Sequence, residues 1–260
     1  MQNTITKPTV KNRIHLMDEL RGVAVFCMVF YHGFYTLSLF GVKAGTVFFY
    51  FFMLAEPYFA GLFMLIAGIS SNLSHSNLIR GLKLLGFSLL ITLITYVFIP
   101  EELIVFGILH FLSVCMILYG LLKPFADRFD FSWYAVAVCG ILYLFTRGIS
   151  CGYLGFAPFF RINLPSALYS TDFLAPLGIY SENFRSADYF AIFPWIFVFA
   201  AGTFLGKLAT AGKFPKWFYP SRVPFFSWLG RNALIIYIVH QPIIYGICYV
   251  ISSIIKIVQS

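Results

Sequence analysis

Charge is what this chain has least of. Only 11% of its 260 residues are Asp, Glu, Lys or Arg, while 60% are hydrophobic. A soluble globular domain carries about a quarter of its residues as charges, so a conventional water-soluble domain is excluded. Acids are scarcer than bases, ten against 18, which leaves a net charge of +8. A positive balance can signal nucleic-acid binding. Here the basic residues fall in short loops between apolar runs, where a membrane-topology signal explains them, and no RNA- or DNA-binding motif accompanies them. Nucleic acid is therefore not an expected partner.

Cysteine is sparse and unpatterned. Of Cys27, Cys115, Cys139, Cys151 and Cys248, four lie inside apolar runs, where a free thiol behaves as a small hydrophobe. No pair has metal-site spacing and none suggests a disulfide framework, so no metal is expected. A cleavable leader is not expected either. The first apolar run is too long for a signal peptide and no small-residue cleavage site follows it, so it is expected to stay as a spanning helix.

What the chain does have is long apolar runs. Seven, at about 20–41, 47–70, 82–99, 103–122, 132–149, 189–208 and 231–254, are long enough for a helix to cross a bilayer core of about 30 Å. The expected fold is all-α: a polytopic integral membrane bundle of about seven transmembrane helices, forming one domain over 1–260. Lysine and arginine set its orientation. They collect before the first span (Lys7, Lys11, Arg13), after the second (Arg80, Lys83), after the fourth (Lys123, Arg128) and after the sixth (Lys207, Lys213, Lys216, Arg222, Arg231), while the turn after the third reads PEEL. This pattern puts the N-terminus in the cytoplasm and the C-terminus outside. The stretch 150–188 is then an external loop, rich in aromatics, Pro and Gly. Loops of this length are usually functional or disordered, and its apolar content favours a segment folded back over the bundle, in part re-entrant.

Against this background a few polar residues stand out. The first span opens DELRGVAVFCMVFYH, with Arg21 eleven residues before His32. Eleven residues make about three turns, so both side chains share one helix face, about 16 Å apart along the axis. Asp18, three residues before Arg21, is placed to cap the helix and pair with that arginine. Counting along each span puts His32 about 12 Å, Glu56 about 14 Å, His110 about 10 Å and His240 about 16 Å from the outer side. Ionisable groups at such depths face a bundle interior or a wet cavity and pair there. Histidine suits a general base, and an arginine at the cytoplasmic mouth suits a phosphate. A cytoplasmic acyl-coenzyme A meets both requirements, with its phosphates at Arg21 and its arm toward His32.

The chain resembles the heparan-α-glucosaminide N-acetyltransferase catalytic-domain family, within the transmembrane acyltransferases. The resemblance rests on DELRGVAVFCMVFYH, FMLIAGISS, RGLKLLGFSLLITLITY followed by IVFGILHFLSVCMIL, FRSADYFAIFPWIFVFAAGTFLGK and FFSWLGRNALIIYIVHQPII, in that order along the chain. It implies an acyl-CoA-dependent acyltransferase of the cell membrane, a prokaryotic plasma membrane on this reading. The donor would be acetyl-CoA or another acyl-CoA, and the acceptor a cell-envelope glycan or amine. Arg21 and His32 become the lead pair, supported by Asp18. His110 and His240 are further catalytic candidates, and Glu56, Asp188 and Gln241 further cavity residues. The turn VKAGT between the first two spans is too short to hold an acyl-histidine relay, so the reaction class carries over better than heparan as acceptor. A different class, a proton-coupled transporter or flippase built on the same His and Glu residues, stands beside this reading. Homo-oligomerisation is open, because lipid-facing and helix-facing apolar surfaces look alike in sequence.

Overall fold

The computed structural model describes residues 13–74 and 76–259, with side chains through Ile254. Lys7 and Lys11, two of the N-terminal basic residues, lie outside the described residues. Among those described, seven helices are long and apolar enough to cross a membrane. They are α1 (His15–Leu39), α2 (Lys43–Leu73), α3 (Asn77–Phe98), α4 (Ile108–Ala126), α5 (Trp133–Thr146, continued by a 3-10 turn to Cys151), α6 (Ile192–Thr210) and α8 (Ala233–Gln259). A short helix, α7 (Pro224–Arg231), and a hairpin of β1 (Tyr153–Phe156) and β2 (Phe160–Asn163) complete the set.

The described residues divide into two compact units, one of those up to Phe63 and from Gly212 onward, the other of those from Met64 to Ala211. In the first unit α1 is the central element. It ends in a Schellman turn: Gly41 adopts φ +77, its N–H donates to the Ser38 carbonyl at 3.0 Å, and the Val42 N–H reaches the Leu37 carbonyl at 3.0 Å. Glycine takes this left-handed position without steric cost. α7 packs along the first turns of α1 at backbone distance. A Cβ on Gly22 would overlap the Phe226 carbonyl, and one on Gly230 the Asp18 carbonyl. The sequence pattern leaves α7 inside a basic loop. The structure makes it a separate amphipathic helix, started by Pro224 in its first turn, with Ser227 and Gly230 buried and Phe225 and Trp228 exposed. α2 continues through Pro57 without a break, as apolar-phase helices tolerate.

In the second unit, small residues again set the spacing. Gly202 and Gly206 form a G-x-x-x-G face on α6, where added Cβ atoms would overlap the Leu65 carbonyl and the Asn72 side chain, and Gly68 meets the Phe199 carbonyl in the same way. Close backbone approach through glycine is how apolar helices associate when no hydrophobic driving force separates helix from lipid. On α3 and α4, Gly81 and Gly120 serve the same purpose against Ile117 and Leu78.

The stretch 150–188, expected as a loop folded back over the bundle, is ordered by its own bonds. Ser150 Oγ donates to the Gly178 carbonyl at 3.0 Å, the Tyr169 hydroxyl donates to the Ile149 carbonyl, and the Tyr189 hydroxyl to Ala175 at 2.6 Å. Burial pushes the Tyr189 phenol well above its usual range, with Tyr180 adding to the effect, so it remains a donor at any ordinary pH. The stretch contains the β1–β2 hairpin and short 3-10 turns rather than wholly irregular backbone.

Candidate active site

The site in the first unit begins at the foot of α1. Ile14, not Asp18, holds the cap position of the helix. Asp18 lies within the first turn, buried to 7% exposure. Its carboxylate takes Arg13 Nε on Oδ2 at 2.6 Å and Arg21 Nη1 on Oδ1 at 3.3 Å. The expected pairing with Arg21 is present and the expected capping is not. Helix entry at His15 puts Asp18 one turn too far along to act as an N-cap.

The neighbouring acid does something different. Glu19, exposed to 6%, accepts four bonds on Oε1: from Arg222 N–H at 2.7 Å, Val223 N–H at 3.0 Å, Ser221 Oγ at 3.0 Å and Ser227 Oγ at 3.2 Å. A buried carboxylate is tolerable only with such partners. It fastens the chain entering α7 to α1. In the sequence Arg13 stands out only as a topology charge, and Glu19 does not stand out as a site residue. An acid inside the DELRG opening of an acid-poor chain is a visible signal, but its partners lie 202 to 208 residues away.

Eleven residues above Arg21, His32 Nδ1 meets His240 Nε2 of α8 at 2.9 Å. The second nitrogen of His240, Nδ1, lies 2.7 Å from the Tyr237 carbonyl and 3.1 Å from that of Ile236. Carbonyl oxygens only accept, so Nδ1 of His240 carries the proton. In a neutral pair the rest follows: His240 Nε2 accepts, His32 Nδ1 donates, and His32 Nε2 is left as the lone-pair nitrogen. One turn further along α1, buried Thr36 takes a bond from Gln241 Nε2 at 3.2 Å. Among the described residues, Gln241 Oε1 is buried without a partner. Glu56 lies on α2 in this same unit and is partly exposed.

His110 and Asp188 belong to the second unit and are built into the entry of α4. His110 Nδ1 accepts the N–H of Gly107, the cap residue, at 3.2 Å. Thr92 Oγ1 gives its proton to the Ile104 carbonyl at 2.7 Å, so at 3.1 Å it accepts from His110 Nε2. Both ring nitrogens are thereby used, in an arrangement like the reach-back half of a capping box. Asp188 Oδ2 accepts the Ile108 N–H at 3.1 Å, placing a negative charge at the positive end of α4. The backbone beside it is tied in as well, through Ala187 N–H to Leu103 and Phe190 N–H to Phe106.

The family model for heparan-alpha-glucosaminide N-acetyltransferase, catalytic, matches residues 13–242. The chain belongs to this family. The match takes in every residue of the candidate site, from Arg13 to Gln241. The family's chemistry is acetyl transfer, and the seven apolar helices make this chain a multi-pass membrane member of the acetyltransferase family. No curated protein and no solved structure matches the chain.

Proposed function

We propose that this acetyltransferase-family protein moves an acyl group, acetyl in the first instance, from a cytoplasmic acyl-CoA to a hydroxyl or amine of a cell-envelope acceptor, across a prokaryotic plasma membrane with its N-terminus inside. The observation that supports this most is the directed bond chain from the Tyr237 carbonyl through His240 to His32, which ends on a lone pair at His32 Nε2. That lone pair takes the proton of the acceptor as its O–H or N–H attacks the thioester carbonyl. The tetrahedral intermediate then expels the coenzyme A sulfur, and the imidazolium returns the proton to it, which leaves a free thiol and a neutral His32. His240 does not touch the reacting atoms. It selects the tautomer of His32 and holds its ring, the part an orienting partner plays beside a catalytic histidine.

Arg21, with Arg13 on the same carboxylate, is assigned to the donor's phosphates. Planar guanidinium forks suit phosphate oxygens, and Asp18 presets their orientation. Arg21 and His32 are about 16 Å apart along α1, a gap for the flexible arm of the donor to bridge. Gln241 Oε1 supplies an acceptor for a polar hydrogen of the incoming substrate. His110 and Asp188 are assigned to holding α4 rather than to chemistry.

The test is acyl transfer and donor binding measured on the same His32→Gln protein. Retained coenzyme A binding with transfer lowered about a hundredfold or more supports the reading. Near-normal transfer would remove His32 from catalysis. Solute or proton flux in vesicles without acyl transfer would favour the transport alternative.

A further inference from the structure

The hairpin that follows α5 has a feature the acyl-transfer reading does not use. Its register pairs Tyr153 with Asn163, Leu154 with Ile162, Gly155 with Arg161 and Phe156 with Phe160. Side chains alternate between the faces of a strand, and directly paired residues share a face. One face therefore carries Leu154, Ile162, Phe156 and Phe160. The other carries Tyr153, Asn163 and Arg161, with Gly155 opposite the arginine. The two strands are joined by Ala157, Pro158 and Phe159, and Phe159 is 93% exposed. Phe160, Ile162 and Phe156 on the apolar face are exposed as well.

We propose that this hairpin is an interfacial membrane anchor, its apolar face and Phe159 lying against lipid and its Arg161 face turned to water and headgroups. Its position favours this occupant. β1 begins two residues after the candidate span Trp133–Cys151 ends. The Phe156 ring lies 5.7 Å from that of Phe145, which is still inside the span. The apolar face is thus continuous with the exposed Ile141, Leu142 and Leu144 of α5. Backbone chemistry sets the depth. A two-stranded hairpin leaves unpaired N–H and C=O groups along both outer edges, which the hydrocarbon centre does not tolerate. Strands of four residues are also well short of the roughly nine to eleven needed to span. The hairpin therefore belongs about 5–10 Å deep, at the boundary of headgroups and acyl chains.

Other occupants fit less well. At roughly 200 Å² for a whole phenylalanine, the exposed parts of this face sum to a few hundred Å², short of the ~800 Å² that each partner buries in a stable dimer. A sugar would need polar hydrogens beside the rings. The polar side chains of the hairpin lie on the opposite face.

The test is photo-crosslinking of the full chain in vesicles of phosphatidylethanolamine and phosphatidylglycerol. p-Benzoylphenylalanine replaces Phe159, Arg161 or, as a reference within the span, Leu144, and adducts are read by intact mass. Phe159→p-benzoylphenylalanine should give lipid adducts at a yield within about twofold of the Leu144 reference, and the Arg161 replacement at least several-fold less. The proposal fails if position 159 gives no lipid adduct while position 144 does, if positions 159 and 161 label lipid equally, or if the main product at 159 is a crosslinked second copy. Should the Phe159 variant not be monodisperse, Phe160→p-benzoylphenylalanine gives the same reading from the strand itself.

Discussion

His110 and His32 are both histidines on apolar, membrane-spanning helices, and both are engaged by a neighbouring helix. They differ in what their bonds leave over. His110 spends one nitrogen on the N–H of Gly107 and the other on Thr92, so its ring is closed to further chemistry unless α4 loosens. His32 spends one nitrogen on His240, whose own second nitrogen is spent on backbone carbonyls. The chain of bonds therefore has a direction and stops at a lone pair. Depth along the span does not separate the two histidines. The direction of the hydrogen-bond chain does, and the proposed division into a catalytic and a structural histidine rests on it.

The sharpest way to break that contrast is substitution at both histidines with two readouts, transfer per folded molecule and stability. His32→Gln should lower transfer by about a hundredfold to ten-thousandfold while the unfolding midpoint stays close to that of the parent. His110→Ala should do the reverse. It strands the Gly107 N–H in a buried turn, costing about 1–3 kcal/mol, and transfer per folded molecule should stay within about twofold. Equal losses of transfer from both variants would erase the distinction.

Smaller effects sharpen it further. His240→Ala removes the bond that sets the His32 tautomer. Transfer should fall by up to about tenfold, the worth of one hydrogen bond near 1 kcal/mol, in kcat rather than in donor KM, and His240→Asn should restore part of it. A donor KM effect alone would make His240 a binding residue. The smallest change is Asp188→Asn, which keeps an acceptor for Ile108 but removes the charge from the start of α4. Thermal denaturation should register a loss of about 0.5–1 kcal/mol, diminished at high salt, with transfer per folded molecule unchanged.

The spans are legible in the sequence because membrane-length apolar runs are a strong and local signal. Their ends are less so. α1 begins at His15 rather than near residue 20 because the polar turn around Asp18 and Glu19 is buried by α7, a tertiary event with no local mark. α7 itself is hidden, since eight residues between a basic loop and a long apolar run read as part of one or the other. The hairpin at 153–163 is likewise masked by its aromatics, whose spacing matches neither a helix stripe nor a long alternating strand. Within the site, Arg21 and His32 are legible as one helix face. Similar depth puts His240 in one band with His32, Glu56 and His110, but the pairing of His32 with His240 is given only by the structure. The closed bonding of His110 is not legible, because it depends on a turn whose partners come from two helices and a backbone N–H.

The grip of Glu19 on the 221–227 segment, together with the glycine contacts of Gly22 and Gly230, has a mechanical consequence. A smooth helix can roll about its own axis at little cost. α1 is keyed at its foot, like a shaft seated in a slot. With side-chain tips about 5–6 Å from the axis, a roll of about 20° would carry the His32 ring about 2 Å sideways. That would break a 2.9 Å bond to His240. A carboxylate about 20 Å down the helix thus governs the aim of His32 by denying the helix its freedom to turn.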